Sequence, residues 1–458
     1  MVNPAIFRAY DIRGNGTADL NYEIAYKIGF CFSKMILNSS NNKICIGRDG
    51  RLSSPELYEG LVHGIYHAGG EIISIGIVPT PILYFADKQF KPASSIMITG
   101  SHNPKDDNGF KIIAAGKSFF DQQLQQLMRE VQRITISFNS YKLPNEIDIN
   151  SKYVEKITSK LNFDTKIKIA WDAGNGAAGN ILELLQNKLP NENVLINNEI
   201  DGNFPNHHPD PSVEENLLQL IDIVRRQSCD FGIAFDGDAD RVGIVSKSGK
   251  VIHSDQLLCL FARDVLRNNP GSTIIADVKT SDILFSEIKN HGGVPLMWKT
   301  GHSWIKNKMH ETGALLAGEM SGHIFFADHY YGYDDGIYAA LRFIDLISRS
   351  DKDLEQMLAD LPIAYATPEI KIKIKDEKKF LVIEKIQQQL KEQNIEFISI
   401  DGVRVNTENG WWLLRASNTG AYLIARAESY SPEGLKILQN DLSIALENHN
   451  LKIQFGDH

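Results

Sequence analysis

Three stretches of the chain share one alternation of apolar and polar positions. KICIGRDGRLSSPELYEGLVHGIYHAGGEIISIGIVPTP (residues 43–81), KIKIAWDAGNGAAGNILELLQNKL (166–189) and STIIADVKTSDILFSEIKNHGGVPLMWKTGH (272–302) each open on a short apolar run. Each run ends in a polar turn carrying an aspartate (Asp49, Asp172 or Asp277), and an amphipathic stretch of helical period follows. That order predicts strand–helix units feeding mixed, mostly parallel sheets, spaced roughly a hundred residues apart as in three similar α/β domains. In each unit a second apolar strand then runs into a polar loop: SSIMIT into GSHNP, FGIAF into DGDADR, GALLA into GEMSGH. Ligands of open α/β sheets gather beyond the carboxyl ends of the strands, so the three loops are expected to converge on one central cleft.

Past Leu361 the pattern changes. EIKIKIKDEKKF alternates apolar and cationic positions like a half-exposed strand. FLVIEKIQQQLKEQ has helical period, a strand pair surrounds WWLLRASNTGAYLIARAES, and a closing helix follows, which together predict a smaller α+β domain. The polar, proline-bearing NSYKLPNEIDINSKY marks the first boundary. The expected division is 1–148 with a serine loop, 149–250 with an aspartate loop, 251–362 with GEMSGH, and 363–458 with RASNTG.

The 458 residues exceed what one hydrophobic core serves, in keeping with several domains. A net charge of -9 removes any overall basic field for nucleic acid, so an anionic ligand must be met by a local cluster of cations. Cys31, Cys45, Cys229 and Cys259 form no CxxC and suit a reducing compartment. MVNPAIFRAYDIRG has no apolar signal-like core, and the apolar stretch from Ile72 to Ala86 is too short for a bilayer and carries Pro79 and Pro81. These features predict a cytoplasmic protein with no membrane contact.

In DFGIAFDGDADRVGIV, Asp236, Asp238 and Asp240 crowd three carboxylates just after an apolar strand, and a divalent cation with hard oxygen ligands relieves their repulsion. A calcium EF-hand would need Gly and Glu where Arg241 and Lys247 stand. A dehalogenase-type phosphatase with Asp238 as nucleophile is the rival from another mechanistic class, but it leaves the other loops without a role. Ser101 sits in TGSHNP between Gly100 and His102, with Lys111 nearby. A serine is a weak nucleophile, but phosphorylated and set beside Mg²⁺ it offers both a metal ligand and a group to transfer. Glu319 and Ser321 of GEMSGH suit vicinal sugar hydroxyls, and Arg415 with Ser417, Asn418 and Thr419 suits a phosphate. Taken singly, GEMSGH is equally compatible with an ordinary turn and TGSHNP and RASNTG are weak signals, whereas Arg241 beside the three aspartates argues against a merely solvated acidic turn.

In combination, FRAYDIRG (7–14), GRDGR (47–51), TGSHNP (99–104), DGDADR (236–241), KTGH (299–302), GEMSGH (318–323) and RASNT (415–419) resemble the α-D-phosphohexomutase superfamily, and within it the bacterial phosphomannomutase/phosphoglucomutase group. The resemblance spans nearly the whole chain. It implies a monomer of four domains around a central cleft that interconverts hexose 1- and 6-phosphates through a phosphoserine and a hexose 1,6-bisphosphate. It also implies Ser101, Asp236, Asp238 and Asp240 as Mg²⁺ ligands, and substrate contacts from Tyr10, Arg13, Arg241, Lys279, Thr300, Gly301, His302, Glu319, Met320, Ser321, Gly322, His323, Arg415, Ala416, Ser417, Asn418 and Thr419. Arg13, His102, Lys111 and His323 are candidates for proton transfer alongside Ser101. A mutase of amino sugars and a non-catalytic sugar-phosphate-binding protein are the alternatives within the same fold. Ala239 replaces a glycine common in the family, which is tolerable at negative φ, and Gly420-Ala421 replaces the usual Xaa-Pro after RASNT.

Overall fold

The computed structural model describes residues 2–38, 40–163, 167–418 and 420–455. Four sheets follow one another along the chain. In the first, Lys43–Arg48 pairs in parallel with both Glu71–Ile77 and Ser94–Ile98. Ser94–Ile98 then returns antiparallel through Asp107–Ala114, on whose far side lies Ile12–Asn15. The second and third sheets repeat this plan. Lys168–Asp172 lies between Glu192–Ile196 and Phe231–Phe235, and Thr273–Asp277 between Val294–Trp298 and Leu316–Gly318, all in parallel. Phe231–Phe235 and Leu316–Gly318 then fold back antiparallel through Val242–Ser246 and Ile324–Phe326. Parallel pairing therefore occupies the heart of each mixed sheet. The loops at 99–106, 236–241 and 319–323 are the same structural feature three times over, the turn between a central parallel strand and its returning partner.

The two faces of these sheets follow from the two-residue period of a strand. Ile44, Ile46, Ile96 and Ile98 pack on the helices Tyr22–Ile36, Ser54–His67 and Gln122–Arg133. Cys45 and Met97 point the other way, into a core shared with Trp171, Ile233 and Phe235 of the second sheet and Ile274, Ala276 and Leu316 of the third. One continuous apolar cluster thus runs through three domains. All four cysteines are buried and free.

The last sheet is antiparallel throughout, with Val403–Thr407, Gly410–Ala416 and Tyr422–Ser429 as its body. One face (Val403, Val405, Trp412, Leu414, Leu423, Ala425) packs on the helices Lys379–Glu392 and Pro432–Glu447 as a separate core. The other face, turned to the third domain, carries Arg404, Trp411, Leu413, Arg415, Arg426 and Glu428, all buried. Arg404 lies 3.7 Å over the Trp411 ring and donates to the carbonyls of Val278 (2.7 Å) and Thr280 (2.9 Å). Arg426 donates to Lys279 O at 2.5 Å, and Glu428 accepts from Ser281 Oγ at 2.8 Å. Among the described residues no helix is long and apolar enough to cross a membrane.

Candidate active site

Ser101 lies just beyond the strand Ser94–Ile98 and is buried, with the left-handed backbone angle φ of 51°. Its amide donates to Thr99 Oγ1 at 2.8 Å, and its hydroxyl donates to Asp236 Oδ2 at 2.7 Å and lies 3.2 Å from His102 Nδ1. The first two loops abut so closely that a Cβ on Gly237 would come within 2.4 Å of Ser101 O, so only glycine fits there.

The three aspartates are fully buried, and one carboxylate oxygen from each lies within 4.8 Å of the other two. Lys111 donates to Asp238 Oδ2 at 2.7 Å and to Asp240 Oδ2 at 2.5 Å, and Thr80 Oγ1 also donates to Asp238. Burial, followed by the neighbouring Asp238 and Asp240 charges, pushes the Asp236 carboxyl well above its usual range. At Asp238 burial pushes upward too, but the Lys111 ammonium outweighs it and holds the carboxyl below its ordinary value. Burial also works against the Lys111 charge, and Asp238 and Asp240 more than restore it, so Lys111 stays an ammonium at neutral pH. Three carboxylates are thus crowded together in a buried site. Asp238 Oδ1 and Asp240 Oδ1 are buried and accept no hydrogen bond among the described residues. Crowded carboxylates with spare hard oxygens fit a divalent cation.

Ala239 differs from the expectation of negative φ: it adopts φ 55°. Its amide donates to Asp236 O (3.1 Å) and its carbonyl accepts from Gly336 N (3.1 Å), so contacts on both sides fix a conformation that the missing glycine would take without strain.

Arg241 carries the site toward the third domain. Its Nε donates to His323 Nε2 at 3.0 Å, while His323 Nδ1 lies 3.1 Å from Asp334 Oδ2. These partners assign the ring proton to Nδ1 and leave Nε2 as the acceptor. His302 stacks on His323 with centroids 5.5 Å apart, and burial, then Lys306, holds its imidazole well below the ordinary range. His102 is likewise kept neutral by burial, then by Arg241 and Arg13. Arg13 bonds Asp11 Oδ2 (2.7 Å) and Asn103 Oδ1 (2.7 Å) at the outer side of the serine loop.

On the far side, Glu319 Oε1 accepts from Gly301 N (2.5 Å) and Oε2 from Ser321 Oγ (3.1 Å). Met320 is half-buried beside them, and Gly322 takes φ 94° as the loop turns back. Lys279 pairs with Glu369 at 2.6 Å. Tyr10 OH donates to Thr300 O (2.9 Å) and bonds Asn418 Nδ2. Arg415 Nε and Thr300 N share Asp401 Oδ2, at 2.9 and 3.0 Å, and Arg415 Nη2 is buried without a partner among the described residues. Ala416 and Ser417 are buried at the end of the strand, and Thr419 lies outside the described residues. The contacts Ser101–His102–Arg241–His323–His302–Tyr10–Asn418 form one unbroken line from the serine loop to the RASNT loop.

Several partners escaped the sequence. Thr80, Asp334, Lys306, Glu369 and Asp401 sit in no conspicuous loop. Asp334 precedes Asp335, which caps the helix Gly336–Ser348 through Tyr338 N (2.8 Å), so the pair looks like an ordinary helix start.

Residues 4–137, 151–249, 253–365 and 369–444 match, in turn, the phosphoglucomutase/phosphomannomutase alpha/beta/alpha domains I, II and III and the C-terminal domain of that family. The chain is 44% identical over 432 residues to the phosphomannomutase/phosphoglucomutase of Pseudomonas aeruginosa, covering 94% of this chain and 93% of that protein. It is 42% identical to a phosphoglucomutase of Neisseria gonorrhoeae over 97% of each. The structure of a phosphoglucomutase/phosphomannomutase family protein from Burkholderia thailandensis superimposes with a TM-score of 0.90 at 39% identity, over 99% of this chain and 100% of that one. With four domains matched in order and relatives aligned over nearly their whole length, this chain belongs to the phosphoglucomutase/phosphomannomutase family.

Proposed function

We propose that the protein is a phosphohexomutase that interconverts the 1- and 6-phosphates of mannose and glucose, with Ser101 as the phosphoryl carrier and a hexose 1,6-bisphosphate as intermediate. The observation that carries this reading is the 2.7 Å bond from Ser101 Oγ to Asp236, linked by a continuous line of contacts to Asn418 of the RASNT loop.

Asp236, Asp238 and Asp240, with an oxygen of phospho-Ser101, would hold Mg²⁺, which when bound offsets charge on the transferring oxygens. In the first transfer the P–Oγ bond of phosphoserine breaks while a bond from phosphorus to the free sugar hydroxyl oxygen forms. The hydroxyl proton passes to His323 Nε2, which gives up its bond from Arg241 Nε to accept it. In the second transfer Ser101 Oγ reclaims the other phosphoryl group, and His323 returns the proton to the released hydroxyl. Lys111 and Arg13 supply fixed positive charge. The bisphosphate must turn over between the two steps, so Arg415, Ser417 and Asn418 grip whichever phosphate is idle. Glu319 and Ser321 hold hydroxyls that look alike both ways round, such as those at C3 and C4. Contacts limited to these leave C2 unread, which admits both mannose and glucose.

Intact-mass measurement should find one phosphoryl group on the wild type and none on Ser101→Ala, whose mutase turnover should fall at least ~10³-fold. An active Ser101→Ala enzyme would remove the shuttle. Efficient use of mannose 1-phosphate with rejection of glucose 1-phosphate would overturn only the account of C2.

A further inference from the structure

GRDGR (47–51) supplies none of the candidate substrate contacts, yet its last arginine is tied closely to the serine loop. Arg51 is buried completely. Its Nη1 donates to the carbonyls of Pro104 (2.5 Å) and Asp107 (2.9 Å), and its Nη2 to those of Ser101 and Asn103 (both 2.7 Å). One guanidinium therefore gathers four backbone acceptors of a single turn. Asp49 completes the grip: its Oδ2 lies 3.2 Å from Arg51 Nε and accepts from Gly100 N at 3.1 Å. Its Oδ1 accepts from Arg51 N at 3.0 Å and Ser54 Oγ at 2.7 Å. Gly100 lies so close that a Cβ there would stand 2.5 Å from the guanidinium carbon.

The second domain closes over this arrangement. The Phe204 ring lies 5.1 Å from the guanidinium, and a Cβ on Gly202 would meet Gly50 O at 2.5 Å. Ser101 itself has φ 51°, a conformation that a residue with a side chain adopts only when its surroundings impose it. Four inward carbonyls on a planar fork are such an imposition. A lysine, with one compact ammonium, reaches fewer of them and leaves the rest buried without partners.

We propose that Arg51, braced by Asp49 and roofed by Phe204, is a positioning residue that holds Ser101 in its left-handed conformation with Oγ directed at Asp236. The proposal rests on the assignment of Ser101 as phosphoryl carrier. Arg51 touches no substrate, so its loss should act on the chemical step and spare ground-state binding.

The test compares wild type, Arg51→Lys and Phe204→Leu by steady-state kinetics and by hydrogen–deuterium exchange over residues 99–107. Arg51→Lys should lower kcat about a hundredfold with KM within about twofold, the signature of a misplaced reacting atom. Exchange at 99–107 should quicken while that of the C-terminal sheet stays as in wild type. Phe204→Leu, which removes the roof and leaves the fork, should change both readouts in the same direction by less. Wild-type kcat in Arg51→Lys overturns the proposal, and so does a fall in kcat that merely tracks faster exchange through the entire chain. If the lysine variant does not fold, Phe204→Leu decides: faster exchange at 99–107 with lower kcat supports the proposal, and no change in either overturns it. A wild type without mutase activity would refute the assignment of Ser101 as carrier, and exchange at 99–107 would still decide whether Arg51 holds the loop.

Discussion

The third and fourth domains each present a second sheet face to a neighbour, and the two faces are chemically opposite. The third domain offers Ile274, Ala276 and Leu316 to a cluster that also contains Trp171, Phe235, Met97 and Cys45. The fourth offers Arg404, Arg426 and Glu428, bonded to backbone groups and polar side chains across the boundary, with Val278, Trp411 and Leu413 as a small buried apolar cluster between them. The contrast teaches where each half of the chemistry is built. Ser101, the aspartates and His323 stand on a block of three domains welded by a shared core. Arg415 and Asn418 stand on a domain with its own core, joined by ion pairs and hydrogen bonds. A polar joint of this kind is what domains that shift against each other use, and under the proposed function the grip on the idle phosphate would fall to that part.

Calorimetry can break this contrast. Two transitions are expected, one for the welded block and one for the C-terminal domain. Phe235→Ala should lower the block's transition alone, by about 3–5 kcal/mol of stability. A single transition, shifted as a whole, would show that the joint is as strong as the core.

Arg415→Ala should raise KM for hexose phosphates by roughly 30- to 100-fold, about 2–3 kcal/mol, with a smaller change in kcat. An equal fall in kcat would place Arg415 functionally with the reacting half.

The welded block also contains a buried titrating group. Burial pushes the Asp335 carboxyl from its ordinary 3.8 up to about 7, against hydrogen bonds from Tyr338 N, Tyr330 and Tyr153. A raised folded-state value favours the protonated form. The associated stability is therefore present below about pH 4 and lost as pH climbs through about 7, at up to about 1.4 kcal/mol per pH unit. Asp335→Asn should flatten the dependence of the block's melting temperature on pH in that window, and an unchanged slope would count against this assignment.

The smallest effect is expected at Ala239. Glycine there relieves roughly 1–2 kcal/mol of left-handed strain. It forfeits about 0.8 kcal/mol of methyl burial and roughly 0.5–1 kcal/mol of chain entropy. Ala239→Gly should leave stability within about 1 kcal/mol of wild type, and a larger loss would show that the methyl packs better than its strain costs.

The strand–helix grammar and the three equivalent loops were legible because hydropathy period and turn chemistry are local. So was the crowding of Asp236, Asp238 and Asp240, since like charges at alternate positions demand an explanation wherever they fall. The left-handed backbone at Ala239 was not legible, because it is imposed by Gly336 across the boundary with the third domain. Nor were Thr80, Asp334 and Asp401: each reaches the cleft only through tertiary packing, and nothing in its own neighbourhood distinguishes it from a helix cap or a turn residue. Arg51 was visible as part of a motif, but its four carbonyl partners exist only after the serine loop has folded over it.

The hydrogen bond between Tyr10 and Asn418 joins positions 408 residues apart. During synthesis, domains fold in the order in which they leave the ribosome. A nascent chain that has released three domains already carries Ser101, the three aspartates and the Glu319–Ser321 loop, but neither Arg415 nor Asn418. The line of contacts that starts at Ser101 is completed only by the last strands.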